Sequence, residues 1–294
     1  MKYSVECLPC LVNQTVRVVK RFINEEEEQL RLVKEVMAEM LLVDDDTTSP
    51  YIAHRIQETL TRALGNPDPY KKEKVYYNRE MMKLLPNLSR LIDEAADPFA
   101  AAVKLAAAGN IIDFGPGYDL SPATVLKTIA ATMEMPLPED TLTALKEDLA
   151  QAKTLLYLGD NTGEIVFDRV FVEAIKENYP DVRIYFAARG KPVLNDITEE
   201  DAFLVKMNEF AEIINNGTSI PGTMLEYVTP AFREIFEQAD VIISKGQGNF
   251  ECLLGSGREN LYHLFLCKCD LFVDRLGVRK NDLIFREERA DFVI

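Results

Sequence analysis

The stretch Thr154-Leu-Leu-Tyr-Leu158, followed by Gly159-Asp-Asn-Thr-Gly-Glu164 and then by Ile165 to Ile175, reads as a strand, a polar loop and an amphipathic helix. A short apolar run stopped by glycine is the pattern of a buried strand, and apolar residues returning at helical spacing mark the element after it. Outward from this segment the texture repeats. Short apolar runs bounded by Gly or Asp occur at Asn110–Phe114, Val182–Ala187, Glu212–Ile214, Val241–Ser244 and Leu271–Val273. Helical stretches lie between several of them, including Glu139–Ala150 after the break Pro136-Leu-Pro138. Such alternation predicts an α/β fold with a mainly parallel sheet covered by helices.

Upstream the reading is almost entirely helical. Val33, Val36, Met37 and Met40 recur at helical spacing behind the solvated run Glu25-Glu-Glu-Glu28, and Ile52, Ile56, Leu60 and Leu64 do so before Gly65-Asn-Pro67. Met81, Met82, Leu84, Leu85, Leu88 and Leu91 form a third stripe, ending near Asp97-Pro98. These stripes read as core. The division expected is a helical N-terminal domain over residues 1–105 and an α/β domain over residues 106–294.

The chain of 294 residues is long enough to bury roughly three quarters of its unfolded surface without disulfides or a structural metal. Its 47% hydrophobic and 28% charged residues exclude a disordered or collagen-like chain. No apolar run approaches the ~20 residues that cross a bilayer. The start, Met1-Lys-Tyr-Ser-Val-Glu-Cys7, lacks a signal-peptide core, so the expected location is cytoplasmic and the five cysteines are expected as thiols or ligands. Forty-eight acidic against 33 basic side chains give a net charge of −15. That field repels nucleic acid and anionic membranes, and it disfavours a small anion too unless a metal or a basic cluster reverses it locally.

In open α/β sheets ligands bind beyond the carboxyl ends of the strands. After Leu158, Asp160 and Asn161 offer a carboxylate and an amide oxygen to a hard cation, and the helix beyond offers free N–H groups to an anion. The alternative is that one of them only caps that helix. After Ala187 comes Ala188-Arg-Gly-Lys-Pro-Val-Leu-Asn-Asp196, in which Asp196 is a second carboxylate and Arg189 and Lys191 are candidate anion contacts. Here too Asn195 or Asp196 could simply cap a helix starting near Thr198. After Ser244, Lys245-Gly-Gln-Gly-Asn249 suits a phosphate, lysine as a compact charge and glycine as a door to backbone N–H groups. Asn110, Asp113 and the loop Asn216–Thr223 complete the inventory. Acids after two strands and a Lys-Gly loop after a third are the parts of a metal-assisted phosphate site.

Other chemistries fail on inspection. Gly190-Lys191 is followed by Pro192, so there is no P-loop, and neither H-E-x-x-H nor G-x-S-x-G occurs. Asp160-Asn-Thr162 lacks the second aspartate of haloacid-dehalogenase-type nucleophile loops. Gly115-Pro-Gly117 after Asp113 is a weak opening for S-adenosylmethionine or a dinucleotide, because Leu120 stands where a third glycine belongs. Cys7-Leu-Pro-Cys10 has metal or redox spacing, and Cys267-Lys-Cys269 would supply two further thiols. On a strand, however, a C-x-C pair points to opposite faces. Cys252 reads as packing.

Taken together, Cys7–Cys10, Gly109–Asp113, Gly159–Glu164, Arg189–Asp196 and Ser244–Glu251 resemble the damage-control phosphatase family, once catalogued as domain of unknown function family 89, in its short prokaryotic form. The resemblance spans most of the chain. It implies an α/β/α sandwich, Rossmann-like, beside a helical domain, and a metal-dependent phosphatase acting on small phosphometabolites. It places Asp160, Asn161 and Asp196 on a divalent cation such as magnesium, manganese, cobalt or nickel, and Lys245 on phosphate. Asn110, Asp113, Arg189, Gly246, Gly248 and Asn249 would line the pocket, with Asp160, Asp196 and Lys245 carrying the catalysis. Two alternatives stay open at this point: an S-adenosylmethionine-dependent methyltransferase and a non-enzymatic metal- or thiol-binding protein.

Overall fold

The computed structural model describes residues 1–110 and 122–288. Among the described residues eight helices precede the first strand: α1 (Cys7–Phe22), α2 (Glu26–Met40), α3 (Ser49–Leu64), α4 (Lys71–Met82), α5 (Leu85–Asp93), α6 (Pro98–Gly109), α7 (Pro122–Met133) and α8 (Glu139–Gln151). Then come β1 (Thr154–Leu158), α9 (Glu164–Asn178), β2 (Arg183–Ala188), α10 (Glu199–Leu204), β3 (Glu212–Asn215), α11 (Pro230–Gln238), β4 (Val241–Lys245), α12 (Gly246–Leu253), β5 (Leu261–Leu266), α13 (Asp270–Leu276) and β6 (Leu283–Glu287).

The six strands form one sheet in the order β3-β2-β1-β4-β5-β6. All neighbours run parallel except β6, which is antiparallel to β5. Leu155 stands opposite Ile184 on one side and Val241 on the other. The chain winds outward from β1 through β2 and β3, then crosses back to β4, so the order reverses between β1 and β4. That reversal opens a crevice at the carboxyl ends of the two central strands, which is where doubly wound sheets place their ligands.

Alternation along the strands explains the layers. Leu155, Tyr157, Ile184, Phe186, Val241 and Ile243 join the core under α6, α8 and α9, whereas Leu156, Leu158, Ala187 and Ile242 face Phe232 and Phe236 of α11 and Leu253 of α12. Each buried side chain of this size contributes about 1.5–3 kcal/mol. Both faces are thus covered, which gives the three layers expected.

Core membership runs across the boundary expected at residues 105–106. Met81, Leu88, Phe99 and Ala102, Ala106, Ala107 and Ala108 of α6 belong to the same core as β1 and α9, while Leu11, Val18, Leu32, Val36, Ile52, Ile56 and Leu60 of α1 to α3 form a cluster of their own. The small side chains of α6 let it lie close on α9; a Cβ on Gly109 would stand 2.7 Å from Phe167 Cβ. Asp97 caps α6 through the Ala100 N–H and Pro98 begins its first turn.

Two expectations about elements change. Leu271–Val273 is part of helix α13, closed by Gly277 at φ 65°, and not a strand. Three apolar residues carry no decisive period, and the acid before them with the glycine after them are helix signals. Conversely β5 and β6 are strands that the sequence pattern did not single out. Asn110 caps the end of α6, and the rest of the strand expected at Asn110–Phe114 lies outside the described residues. Among the described residues no helix is long and apolar enough to cross a membrane.

Candidate active site at the sheet's switch point

The loop after β1 is pinned by pairing with the loop after β2. Asn161 and Asp196 form an isolated antiparallel bridge, Thr162 N–H donates to Asn195 O at 2.9 Å, and Ile197 N–H donates to Asp160 O at 3.0 Å. This short ladder brings Asp160, Asn161 and Asp196 together although the sequence separates them. Gly159 is required there, because a Cβ would meet Ile197 Cδ1 at 2.4 Å. The helix expected near Thr198 begins with a capping box of Thr198 and Asp201, so Asn195 and Asp196 are not spent as caps.

Arg189 lies at the centre of this cluster. Its guanidinium is 2% exposed, donates from Nε to Asp196 Oδ2 at 2.7 Å, and reaches Asp160 Oδ1 at 3.4 Å and Asn249 Oδ1 at 3.3 Å. Asn249, on the first turns of α12, also receives the Thr223 hydroxyl at 2.8 Å and donates to Gly159 O at 3.2 Å. Gly246 opens α12 at φ 80°, so close to Asp160 that a Cβ would fall 1.9 Å from Oδ2. At Gly248 a Cβ would collide with Pro221 O at 2.2 Å, because the Asn216–Thr223 loop packs over it. The first N–H groups of α12, which have no partner within the helix, therefore begin beside the carboxylate.

Behind Asp160 is a second buried layer. Asn110 Nδ2 donates to Glu164 Oε2 at 2.9 Å and, at 3.4 Å, to Asp160 Oδ2; its Oδ1 accepts the Leu266 N–H at 3.2 Å. Asn161 Nδ2 donates to both Asp160 Oδ2 (2.6 Å) and Glu164 Oε2 (3.1 Å). The Lys245 ammonium bonds to Glu164 Oε1 at 2.8 Å, to Ala106 O at 2.9 Å and to Asp168 Oδ1. Asp168 in turn accepts the Tyr157 hydroxyl at 2.7 Å.

An ammonium has three donors, and Lys245 has all three engaged. The expectation that it faces a phosphate is not met in this arrangement; it holds Glu164 and Asp168. The other expected residues Asp160, Asn161, Asp196, Arg189, Asn110, Gly246, Gly248 and Asn249 converge, and Asp113 lies outside the described residues. Lys191, outside the cluster, pairs its N–H with Thr218 O.

Glu164, Asp168 and Asn78 were not singled out from the sequence. Glu164 and Asp168 stand four apart on the buried face of α9, which is otherwise apolar, a legible sign of two acids turned inward to a shared partner. Asn78 is fully buried, donates to Asp201 Oδ1 at 3.0 Å and accepts the Gly163 N–H at 2.8 Å, so it ties α4 to the loop. It gave no sequence signal.

The electrostatics are unbalanced. Four buried carboxylates, Asp160, Glu164, Asp168 and Asp196, face two buried basic groups, Arg189 and Lys245, with the half-buried Lys268 adding a partial offset from the rim. Burial, then Glu164 and Asp196, push the Asp160 carboxyl well above its ordinary range despite Arg189. Burial raises Asp168 to about 7 against the pull of Lys245. Burial works against the Lys245 charge too, but Asp168 and Glu164 outweigh it and hold the ammonium above its usual value. Arg189 borders a cavity of about 790 Å³, with Gly190, Pro192 and Thr198 on the sheet side and Asn66 to Pro69 and Lys71 to Glu73 on the helical side.

Known proteins share the sequence and the fold. The damage-control phosphatase ARMT1-like domain model matches residues 3–284. The chain is 33% identical over 287 residues to a damage-control phosphatase of Pyrococcus horikoshii, covering 97% of each, and 28% identical over 289 residues to one of Archaeoglobus fulgidus, covering 97% of this chain and 98% of the other. An uncharacterized protein of Methanocaldococcus jannaschii is 33% identical over 290 residues, covering 96% and 94%. The crystal structure of a DUF89 family protein from Pyrococcus horikoshii superposes with a TM-score of 0.86 at 30% identity, over 98% of this chain and 100% of that one. With matching order, fold and length, the chain belongs to the damage-control phosphatase ARMT1-like domain family.

Proposed function

We propose that the protein is a divalent-metal-dependent phosphatase that hydrolyses small phosphorylated metabolites, with its reaction centre at Asp160, Asn161 and Asp196. The observation that carries the reading is the surplus of buried negative charge at the crevice. Carboxylates withdrawn from water need counter-charge, and those here exceed the buried basic groups by two. The donor set is oxygen throughout, two carboxylates and an amide, which fits a hard cation of the magnesium or manganese kind and does not select a soft one. Family membership supports the phosphatase class.

When bound, such a cation supplies polarisation of a phosphoryl oxygen and a water of lowered pKa. The chain's own residues do the remaining work. Asn161 spends its amide N–H groups on Asp160 and Glu164, which fixes its orientation and leaves its carbonyl oxygen for a cation. Arg189, at the inner end of the cavity, is the positive group that an entering phosphoryl group meets, and the first turn of α12 adds backbone N–H groups beside it. Lys245 acts from behind, holding Glu164 and, through Asn110 and Asn161, the position of Asp160. These charges are set before substrate arrives, which is what stabilises a phosphoryl transition state.

The test is phosphate release from p-nitrophenyl phosphate and a panel of sugar phosphates, first with EDTA and then with magnesium, manganese, cobalt or nickel restored. Release that returns with metal in the wild type and is absent in Asp160→Asn is the expected result. Release unaffected by EDTA, or equal in the variant, overturns the assignment.

A further inference from the structure

The loop from Asp160 to Glu164 is held from more than one side. The segment after β2 grips it at Asn195 and Ile197, and Asn110 and Lys245 hold Glu164 from behind. A further hold comes from the helical region. Gly163 is the residue before α9, at φ 83°. Its N–H has no partner within the helix's own ladder, and it donates to Asn78 Oδ1 at 2.8 Å, across 85 residues of chain. Glycine populates positive and negative φ almost equally, so an anchor on this N–H narrows a choice that the backbone itself leaves open.

The Asn78 amide can face only one way. On one side it meets an N–H and on the other a carboxylate, Asp201 Oδ1 at 3.0 Å. A flipped amide would set donor against donor and acceptor against acceptor. Asp201 is fixed in turn: its Oδ2 accepts the Thr198 N–H at 2.8 Å and the Thr198 hydroxyl at 2.9 Å, and the Lys74 ammonium lies 3.6 Å from the same oxygen. Lys74 stands one turn before Asn78 on α4, is 2% exposed, and also reaches Asp68 Oδ2 at 3.4 Å. Burying these groups carries a desolvation penalty that an apolar contact between α4 and α9 would avoid. What the polar network adds over such a contact is orientation.

We propose that Asn78, held by Asp201 and Lys74, is a positioning residue of the reaction centre, setting the Gly163 turn and through it the places of Glu164, Asn161 and Asp160. The proposal rests on the phosphatase reading above. The route from the turn to the centre is short. Glu164 follows Gly163 directly, and its Oε2 accepts from Asn110 and from Asn161, whose amide also binds Asp160. Asn78 is not one of the residues that line the cavity, whereas Asp68 and Thr198, at the two ends of its network, are. Its loss therefore acts on the rate of the chemical step and leaves the walls that a substrate meets in place.

Three full-length variants test this: Asn78→Ala, Asn78→Asp, and the exchanged pair Asn78→Asp with Asp201→Asn. Asn78→Asp keeps an acceptor for Gly163 but sets a carboxylate against Asp201. The exchanged pair reverses the direction of that bond and leaves the net charge of the network unchanged. With p-nitrophenyl phosphate and saturating magnesium or manganese, kcat is expected to fall about 10–100-fold in Asn78→Ala and Asn78→Asp, with KM near its wild-type value. In the exchanged pair kcat is expected to return toward wild type. Hydrogen exchange at Thr162 and Gly163 in the metal-free proteins is the second measurement and needs no turnover. These amides are expected to lose more protection in Asn78→Ala than β1 does, and to regain it in the exchanged pair.

Circular dichroism at the assay temperature verifies that each variant is folded, and should Asn78→Ala fail to fold, Asn78→Asp against the exchanged pair decides. Wild-type kcat in a folded single variant overturns the proposal, as does a change confined to KM or an exchanged pair no faster than Asn78→Asp. A wild type that releases no phosphate with any metal defeats the phosphatase reading instead. Hydrogen exchange then still decides the anchor: a selective loss of protection at Gly163 upholds it, and a loss that merely follows β1 overturns it.

Discussion

Lys245 Nζ stands 2.8 Å from Glu164 Oε1, with both side chains completely withdrawn from solvent. This charge pair is therefore turned away from the cavity, and the lysine serves the carboxylates around it before it serves any substrate. Removing one member of such a pair leaves an uncompensated buried charge. Lys245→Met is expected to cost about 3–5 kcal/mol, read as a lower denaturation midpoint. Adding Glu164→Gln and Asp168→Asn restores much of that loss, because the stranded charges go too. A triple variant as unstable as the sum of its parts refutes the pairing.

Asp160 carries a cost in the metal-free protein. Its carboxyl is raised well above its usual range by burial and by Glu164 and Asp196. Asp160→Asn removes that repulsion and is expected to melt higher than wild type in EDTA, by about 0.5–2 kcal/mol of stability, while phosphate release is lost. Restoring a divalent cation at about 100 times its dissociation constant then stabilises the wild type by about 2.7 kcal/mol and the variant by much less.

Two glycines with similar backbone angles separate strain from collision. Gly65 closes α3 at φ 59° with nothing within 4 Å of the place a methyl would take, whereas at Gly246, φ 80°, that methyl would overlap Asp160. Gly65→Ala is expected to cost about 1–2 kcal/mol and leave turnover unchanged. Gly246→Ala carries the same strain and displaces the Asp160 carboxylate, so its turnover falls by orders of magnitude. Equal kinetics for the two would remove Gly246 from the site.

Asn110 joins α6, β5 and the crevice. Asn110→Ala deprives Glu164 of a donor and leaves the buried Leu266 N–H unpaired, for an expected loss of about 1–3 kcal/mol. Hydrogen exchange at Leu266 should quicken beyond the change in global stability. Protection that merely follows the global value means that this bond is not made in solution.

His263 sets an acid limit on the fold. It is fully buried, burial lowers its pKa below 6.5 against the pull of Glu288, and Nε2 lies 3.1 Å from Glu288 Oε2 while Nδ1 has no partner. The unfolded chain takes up a proton at 6.5 that the folded chain refuses. Stability from this residue is therefore full above 6.5 and erodes as pH falls from there toward the lower folded value. In His263→Phe the melting temperature is lower throughout, since Glu288 loses a partner, but its slope below 6.5 is flatter. An unchanged slope sinks the assignment.

The central strands and their loops were legible because two local signals coincide there. Thr154–Leu158 is a clean apolar run, and Asp160, Asp196 and Lys245 are charges placed where strands stop. Strand β5 was not legible: Leu261-Tyr-His-Leu-Phe-Leu266 is buried on both faces, so it lacks the alternation that separates a strand from a buried helix, and only pairing with β4 decides it. The destination of the Lys245 ammonium was equally hidden. Its residue type and position suit a phosphate, but the acids that claim it lie 77 and 81 residues away in the chain. The ladder that joins Asn161 to Asp196 is tertiary too, whereas the residues it joins are recognisable one by one.

The cavity beside Arg189 has walls of two ancestries. Its inner end comes from the loop after β2, locked by the carboxylates it serves, while its outer wall is the turn and helix start at Asn66 to Glu73, where Lys71 makes an exposed pair with Glu200. Asp68 apart, which pairs with the buried Lys74, side chains of the outer wall can change without stranding a buried charge. On the function proposed above, this short segment is where the range of admitted metabolites can vary while the carboxylate cluster stays as it is.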